Sequence, residues 1–281
     1  MRTHIVPALG HLPLRRITPA HVEDWVIELQ GRRSASTVRQ AHALLVVILD
    51  DAVTHGAIRK NAAHAVKRPR KARTEAAFYL SEQVAALLAA ADGHRLAPFL
   101  TLTAYTGLRK GEALALRWVD IELDTETSHA RITGTLARIG SELVRSEPKT
   151  NAGRRTVPLV PEAVTALREA RVQQARERLA AGEAWTDTGY VFTTELGTPV
   201  DPRNALRWFY SIRNAAGISE GSLHTLRHSA ASVLLGAGVP MPVVKDVLGH
   251  SSITVTVDMY GHMAPAVVAD AVARGMAGYG R

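Results

Sequence analysis

The sequence feature that most constrains this chain is the stretch of residues 222–262, where two helical patterns each end in glycine. The segment HTLRHSAASVLLGAG repeats apolar residues at the spacing of one helix face, and Gly236 and Gly238 offer a stop. The segment MPVVKDVLG predicts a second, shorter helix that begins after Pro240 and ends at Gly249. The predicted core face of the first helix consists of Ala230, Val233, Leu234 and Ala237.

Four side chains that can handle a phosphate lie in the same stretch: His224, Arg227, His250 and Tyr260. Arg227 follows His224 by three residues, so a helix places both on one face, where a single anion can contact both. The glycine before His250 places that imidazole at the end of a helix. The polar side of this stretch is therefore the candidate site.

These residues carry a resemblance to a known family. The order HTLRH, then LGH, then a tyrosine before GH resembles the C-terminal signature of tyrosine recombinases, also called the phage integrase family. Two earlier motifs match as well, because TGLRKGEAL supplies Arg109 and SEPKTNAGRRTVPL supplies Lys149. The resemblance spans most of the chain.

The resemblance implies that Tyr260 attacks a DNA phosphate and forms a 3′-phosphotyrosyl link, which a 5′-hydroxyl later resolves by joining a partner strand. Arg109 and Arg227 are permanently charged and bidentate, so they suit the non-bridging phosphate oxygens. His224 and His250 can donate hydrogen bonds to that phosphate, and an imidazole can take the proton of the phenol.

Two further positions follow from the same motifs. Lys149 lies between the predicted strands 143–144 and 156–160, at what we expect to be a hairpin tip, and resembles the family's general acid for the 5′-hydroxyl. Arg145, Arg154 and Arg155 crowd it. Glu112, one turn after Arg109, is expected to orient an arginine.

No cofactor is expected, because the energy of the phosphoester is retained in the tyrosyl link and the resemblance implies neither ATP nor a metal. His224 and His228 are four residues apart, a spacing that can serve a metal. However, HTLRH lacks the glutamate of a zinc-protease helix, and no third ligand is spaced nearby. We therefore predict no metal site, and expect His228 to support its neighbours.

The charge of the chain favours a polyanionic partner. Lys and Arg number 34 against 26 Asp and Glu, which gives a net charge of +8 and a pI of about 10.1. Nucleic acid and an acidic membrane surface both fit, and the excess of arginine favours nucleic acid. The alternative is a basic protein with no special partner.

No cysteine is present, no apolar run approaches about 20 residues, and the N-terminus lacks a signal-peptide core, so we expect a cytoplasmic protein without membrane contact.

Composition and periodicity divide the chain into three parts, and the family resemblance implies the role of each. Residues 1–70 predict a helical core DNA-binding domain, irregular over residues 1–18 and missing a usual first helix, so that its start resembles a truncation. Residues 59–77 predict a basic linker. Residues 78–281 predict a mixed catalytic domain with a C-terminal tail helix. The expected fold class is therefore mainly α with a small β-sheet (α+β).

The linker carries a cluster of cations that either follows a DNA backbone or is a solvated connection between domains. The predicted DNA-backbone contacts are Arg59, Lys60, Lys67, Arg68, Arg70, Lys71 and Arg73.

The sequence thus predicts a site-specific recombinase or integrase that acts on double-stranded DNA, for integration or excision of a mobile element. The resemblance implies a homotetramer on DNA, with a directionality factor or DNA-bending protein as a further partner. Three alternatives remain: a type IB topoisomerase activity, an inactive DNA-binding protein of integrase descent, and a generic basic scaffold protein. The first uses a similar set of catalytic residues, whereas the other two require no chemistry.

Overall fold

The structure is a computed structural model, and its contacts divide the chain into two compact units. We call them unit 1 (Met1–Thr74) and unit 2 (Glu75–Arg281). The residues that the structure describes are 1–68, 78–124, 127–148 and 153–249. Helices dominate, and the described strands form two small antiparallel sheets, which confirms the predicted fold class.

Unit 1 is built on two helices that begin at capping residues. α2 (Pro19–Gln30) follows Thr18, and α3 (Ala35–Thr54) follows Ser34; each hydroxyl accepts a hydrogen bond from a backbone amide of the first turn. Such caps satisfy amides that have no partner within the helix. Short 3-10 helices, Leu14–Arg16 and Ala62–Ala65, complete the unit.

The start of unit 1 differs from the irregular segment predicted for residues 1–18. A short helix, α1 (Val6–Leu9), packs against α2. Ile5 and Leu9 are buried in the core of the unit, and the indole nitrogen Nε1 of Trp25 donates a hydrogen bond to the carbonyl of His4 at 2.8 Å. Pro7, Gly10 and Pro13 interrupt the pattern of this segment, so the sequence did not indicate these two apolar anchors, which are one turn apart.

Unit 2 contains the remaining α-helices of the described chain, arranged around a central one, and two short 3-10 helices, Trp118–Asp120 and Gly182–Ala184. The α-helices are α4 (Ser81–Ala91), α5 (Ala97–Thr106), α6 (Lys110–Leu114), α7 (Pro161–Ala181), α8 (Pro202–Ala215), α9 (Leu223–Gly236) and α10 (Met241–Leu248). The central helix α5 packs between α7 and α9, and its Phe99, Leu100 and Leu102 have no exposed surface.

The described strands of unit 2 form two sheets. They are β1 (Ile121–Glu122), β2 (His129–Ile132), β3 (Thr135–Ile139), β4 (Glu142–Ser146) and β5 (Arg155–Pro158). One sheet has the order β1-β2-β5, with Ala130 opposite Ile121 on one side and Val157 on the other. The other sheet is the hairpin β3-β4, which turns at Gly140.

One strand of this region was not predicted, and one expected pairing is wrong. The sequence does not predict β3, which places Leu136 opposite Arg145 of β4. The two strands that were expected to form a hairpin, β4 and β5, belong to different sheets. Lys149 itself lies outside the described residues.

The buried face of α9 also differs from the prediction. Ala230 is buried as expected, but Val233 is 63% exposed. The buried face instead includes Leu226 and Leu235, and Arg227 lies among them with 1% of its surface exposed. An arginine predicted to face outward is thus one of the most buried side chains of the unit.

None of the helices within the described ranges is both long and apolar enough to span a bilayer.

Candidate active site

Arg109 is presented by a tight turn between α5 and α6. Gly107 ends α5 in the left-handed conformation, with φ of 63°, and Arg109 precedes the first residue of α6. The backbone amide of Arg109 donates to Oε2 of Glu112 at 3.0 Å, and its Nη1 donates to Oε1 of the same carboxylate at 2.8 Å. The turn and the carboxylate together fix the direction of the arginine, which is 41% exposed at its side chain.

The turn can approach two other helices closely because residue 107 has no side chain. A Cβ atom there would lie 2.6 Å from Cδ2 of Leu248 in α10 and 3.3 Å from Cβ of Ala230 in α9. A glycine is therefore required twice, for its positive φ and for this space. The close approach brings Arg109 next to the ends of α9 and α10.

Arg227 joins the same three elements from the inside. Its Nη1 donates to the carbonyl of Gly107 at 2.9 Å, and its Nη2 donates to the carbonyl of Leu248 at 2.6 Å. Because a buried charge is costly unless it is hydrogen-bonded, these contacts lock the guanidinium in one orientation. His224, three residues earlier on α9, remains exposed and lines a cleft.

The carbonyl end of α10 receives three arginines from three separate segments. Arg155 Nε donates to the carbonyl of Val247 at 2.7 Å, Arg227 to that of Leu248, and Arg109 Nη2 to that of Gly249 at 3.2 Å. The last carbonyls of a helix lack partners within it and carry the negative end of its dipole, so cations there are favourable. We call this group of three side chains the arginine collar.

Gly249 ends α10 in the left-handed conformation, as the sequence predicts. His250, the next residue in the sequence, lies outside the described residues, as does Tyr260. The arginine collar therefore includes a contact with the carbonyl of Gly249, the residue that directly precedes the predicted histidine in the sequence.

Glu112 is the counter-charge of the collar. Its buried carboxylate accepts hydrogen bonds from Arg155 at 2.9 and 3.3 Å and from Arg109 at 2.8 and 3.0 Å. Burial by itself raises the pKa of Glu112, but the hydrogen bonds and charges of Arg155 and Arg109 outweigh it and hold the pKa below its ordinary value. The carboxylate stays ionised and orients both arginines.

His224 is held neutral by its surroundings. The surrounding protein atoms lower its pKa, and the charges of Arg227 and Arg109 lower it further. His228 packs edge-on against His224 with ring centroids 4.7 Å apart, and burial, His224 and Arg227 lower its pKa to about 4. A neutral imidazole can both donate and accept a hydrogen bond, so His224 can serve either role at neutral pH.

The two histidines do not assemble a metal site within the part of the chain that the structure describes, where no group of three suitable ligands occurs.

A cleft of about 620 Å³ opens beside Arg109 and His224, and it carries cations that the sequence analysis did not select. Lys110, Arg138 and Arg203 line it. Asp201 accepts a hydrogen bond from Arg138 Nε at 2.6 Å, and burial lowers the pKa of Lys110 while the charge of Asp201 acts in the opposite direction. The sequence offers a signal for Lys110, which adjoins Arg109, but none for the other two.

The predicted linker contacts divide between described and undescribed residues. Arg59, Lys60, Lys67 and Arg68 are exposed in unit 1, and the first two line a pocket of about 570 Å³ that Arg15 shares. The predicted contacts that lie outside the described residues are Arg70, Lys71 and Arg73.

Comparisons with known proteins agree with one another. Residues 78–266 match the model of the family described as "Phage integrase family". The chain is 33% identical over 261 residues to a "Tyrosine recombinase XerC-like" protein of Caldanaerobacter subterraneus subsp. tengcongensis, covering 86% of this chain and 66% of that protein. It is 30% identical over 274 residues to an "Integrase" of Streptomyces ambofaciens, covering 92% of this chain and 68% of that protein. The chain thus spans about two thirds of the length of these relatives.

Solved structures share the fold at low identity. The integrase of transposon Tn1549 in complex with circular intermediate DNA gives a TM-score of 0.74 at 18% identity, over 95% of this chain and 88% of that one. A lambda integrase tetramer bound to a Holliday junction gives 0.66 at 18% identity, over 91% of this chain and 68% of that one.

Proposed function

This chain belongs to the phage integrase family of tyrosine recombinases, and we propose that it cuts and rejoins double-stranded DNA at a specific site through a covalent link to Tyr260. The observation that supports the proposal most directly is the convergence of Arg109 and Arg227 on the end of α10, with Glu112 orienting Arg109. The two arginines come from distant parts of the sequence, and their adjacent contacts are the kind of preorganised arrangement that phosphoryl chemistry requires.

The proposed chemistry divides among the assigned residues. The phenolic oxygen of Tyr260 bonds to the phosphorus, the bond from phosphorus to the 5′ oxygen breaks, and the 3′ phosphate stays on the enzyme. Arg109 and Arg227 hold the non-bridging oxygens, where negative charge increases in the transition state.

Proton transfer falls to the other assigned residues. The lowered pKa of His224 favours its neutral form, which can donate to a phosphate oxygen or take the phenol proton, with His250 in a parallel role. The 5′ oxygen takes its proton from Lys149, as the family resemblance implies. The free 5′-hydroxyl of a partner strand then attacks the phosphotyrosyl bond and restores a phosphodiester.

We propose that each unit contributes its own DNA contacts, the cleft in unit 2 and the exposed cations in unit 1. Lys110, Arg138 and Arg203 extend the positive charge away from Arg109, and such phosphate contacts fix register without reading sequence. Arg59 and Lys60 are expected to add similar contacts from unit 1. We therefore assign DNA-backbone binding to unit 1 and the linker, and the cleavage and joining reaction to unit 2.

The proposed biological role is integration or excision of a mobile element, carried out by four copies on two DNA sites in successive pairs of exchanges. The names of relatives support this, since one is an integrase and a solved homologue is a transposon integrase on circular intermediate DNA. The lambda integrase tetramer on a Holliday junction supports the assembly. A directionality factor or DNA-bending protein is proposed as a further partner.

A covalent trapping assay tests the chemistry. Wild type first selects its site from a pool of random duplexes at fixed salt, and a nicked version of the selected duplex then prevents religation. We expect a protein–DNA complex that resists denaturant with wild type and with Tyr190→Phe, a control at a buried phenol of the same unit. Tyr260→Phe should retain DNA binding and form no such complex. An equal yield from Tyr260→Phe would refute the assigned nucleophile.

A further inference from the structure

We infer that Arg155 is a positioning residue of the proposed reaction, fixing Arg109 and the carbonyl end of α10 relative to each other without contacting DNA. The inference rests on the proposed function. From the sequence, Arg155 is only one of the basic residues that crowd Lys149. Neither the predicted strand that follows it nor its sequence neighbours indicate a functional role for it.

The first support is that all three nitrogens of the Arg155 guanidinium donate hydrogen bonds inside the protein. Its side chain is 7% exposed, and its donors reach both oxygens of Glu112, the carbonyl of Val247 and, at 3.4 Å, the carbonyl of Gly153. Arg155 is not among the residues that line the cleft. Because its charge is already paired with both oxygens of the Glu112 carboxylate, we place Arg155 behind the site, where it acts through other residues and not on a bound phosphate.

The second support is what Arg155 connects. Through Glu112 it shares a carboxylate with Arg109, and through Val247 it holds the helix end whose next two carbonyls accept from Arg227 and Arg109. Arg155 thus closes a ring of contacts that passes through Glu112, Arg109 and the last turn of α10. Within the described residues, this ring joins the two predicted phosphate-binding arginines at adjacent carbonyls.

Removing Arg155 would open that ring in a defined way. Glu112 would keep a buried negative charge with Arg109 as its remaining described partner, so the contact of Arg109 would shift towards the carboxylate. The bond from Arg109 to the carbonyl of Gly249 is the longest in the collar, at 3.2 Å, and is the one we expect to be lost. Catalytic groups displaced by about 1 Å can lose about 100-fold in rate.

Substitution of Arg155 could also lower activity simply by destabilising the fold. The test therefore needs a control substitution in a comparable Arg–Glu ion pair outside the site. Arg95 forms a two-pronged pair with Glu177 at 3.0 and 2.7 Å in the same unit, with 24% and 10% of the two side chains exposed. This pair lies outside the cleft and the collar. Arg95→Met therefore breaks a comparable Arg–Glu pair without touching the proposed site.

The experiment compares Arg155→Met, Arg155→Lys and Arg95→Met with wild type. Three quantities are measured for each: the melting temperature, the dissociation constant for the selected duplex, and the single-turnover rate of covalent trapping on its nicked form. We expect both Arg155 variants to lose about 100-fold in trapping rate while their DNA affinity equals that of Arg95→Met. Lysine should not restore the rate, because one ammonium cannot reproduce the planar fork.

If Arg155→Met does not fold, Arg155→Lys carries the test alone. An Arg155 variant whose rate equals that of an Arg95 variant of the same melting temperature would overturn the inference. So would a loss confined to DNA affinity, since that outcome would make Arg155 a binding residue.

A second substrate separates positioning from proton delivery. Replacing the 5′ oxygen at the cleaved phosphate by sulfur gives a leaving group that departs without an acid, because thiols ionise much more readily than alcohols. We expect Arg155→Lys to remain slow on it. Full recovery would show that Arg155 acts through proton donation by the Lys149 segment and would overturn the inference. Failure of wild type to form any complex would instead refute the proposed function.

Discussion

The close approach of the Gly107 turn to α10 gives a prediction whose size can be worked out from the structure. Alanine at this position must adopt a positive φ, which costs about 1–2 kcal/mol. Its Cβ would also lie 2.6 Å from Cδ2 of the buried Leu248, and such overpacking costs about 1–3 kcal/mol. The expected loss in free energy of unfolding for Gly107→Ala is therefore about 2–5 kcal/mol.

Gly217 supplies a matched control in the same unit. Its φ is 71°, close to the 63° of Gly107, but a Cβ there would meet no atom within 4 Å. Gly217→Ala therefore measures the backbone cost alone, and we expect about 1–2 kcal/mol. The difference between the two variants isolates the steric cost of the turn, measured by urea unfolding followed by tryptophan fluorescence.

A third variant identifies the side chain responsible. Leu248→Val removes both Cδ atoms, including the Cδ2 that a Cβ at residue 107 would meet, so in the Gly107→Ala background it should recover part of the loss, with a coupling energy of about 0.5–3 kcal/mol. Equal losses for Gly107→Ala and Gly217→Ala would refute the argument from close approach. Zero coupling with Leu248→Val would refute the assignment of the clash, and would move it to Ala230 on α9.

Two further predictions concern titration and charge. His228 binds a proton more weakly in the folded protein, because its pKa is lowered from 6.5 to about 4, so its contribution to stability is complete above pH 6.5 and is lost as the pH falls towards 4. In His228→Asn the midpoint of urea unfolding should vary less with pH across that range. An unchanged slope of the midpoint against pH would contradict this. Lys110→Met should reduce the salt dependence of DNA binding by about one counterion with little effect on stability, measured by titration at several salt concentrations. Arg168→Met, which removes an exposed cation of α7, is the control and should leave the salt dependence unchanged.

Helix boundaries can be read from the sequence because capping chemistry is itself local. Gly249 ends α10 in the left-handed conformation, as predicted, and Thr18 before Pro19 at the start of α2 and Gly107 at the end of α5 are local features of the same kind. A hydroxyl that accepts from a first-turn amide, or a glycine that tolerates positive φ, acts within a few residues. Such features are therefore visible without knowledge of the rest of the fold.

Features that depend on strand pairing were harder to predict from the sequence. β3 was not predicted, and the pairing expected around Lys149 was wrong, because β4 pairs with β3 while β5 pairs with β2. The choice among these pairings depends on which sheet buries Ala130 and Val157. No short-range pattern carries that information.

The sequence by itself determined the family and the fold class and supplied the prediction of the reactive residues, because ordered motifs and side-chain chemistry can be recognised without coordinates. Only the tertiary structure decided that Arg227 faces inward, and that Arg155 contacts Glu112 and Val247. Both facts depend on the backbone carbonyls of Gly107, Val247 and Leu248, and every residue has a carbonyl, so the sequence cannot mark the ones that accept an arginine. The fold selects them, by bringing the end of α10 to three arginines that lie far apart along the chain.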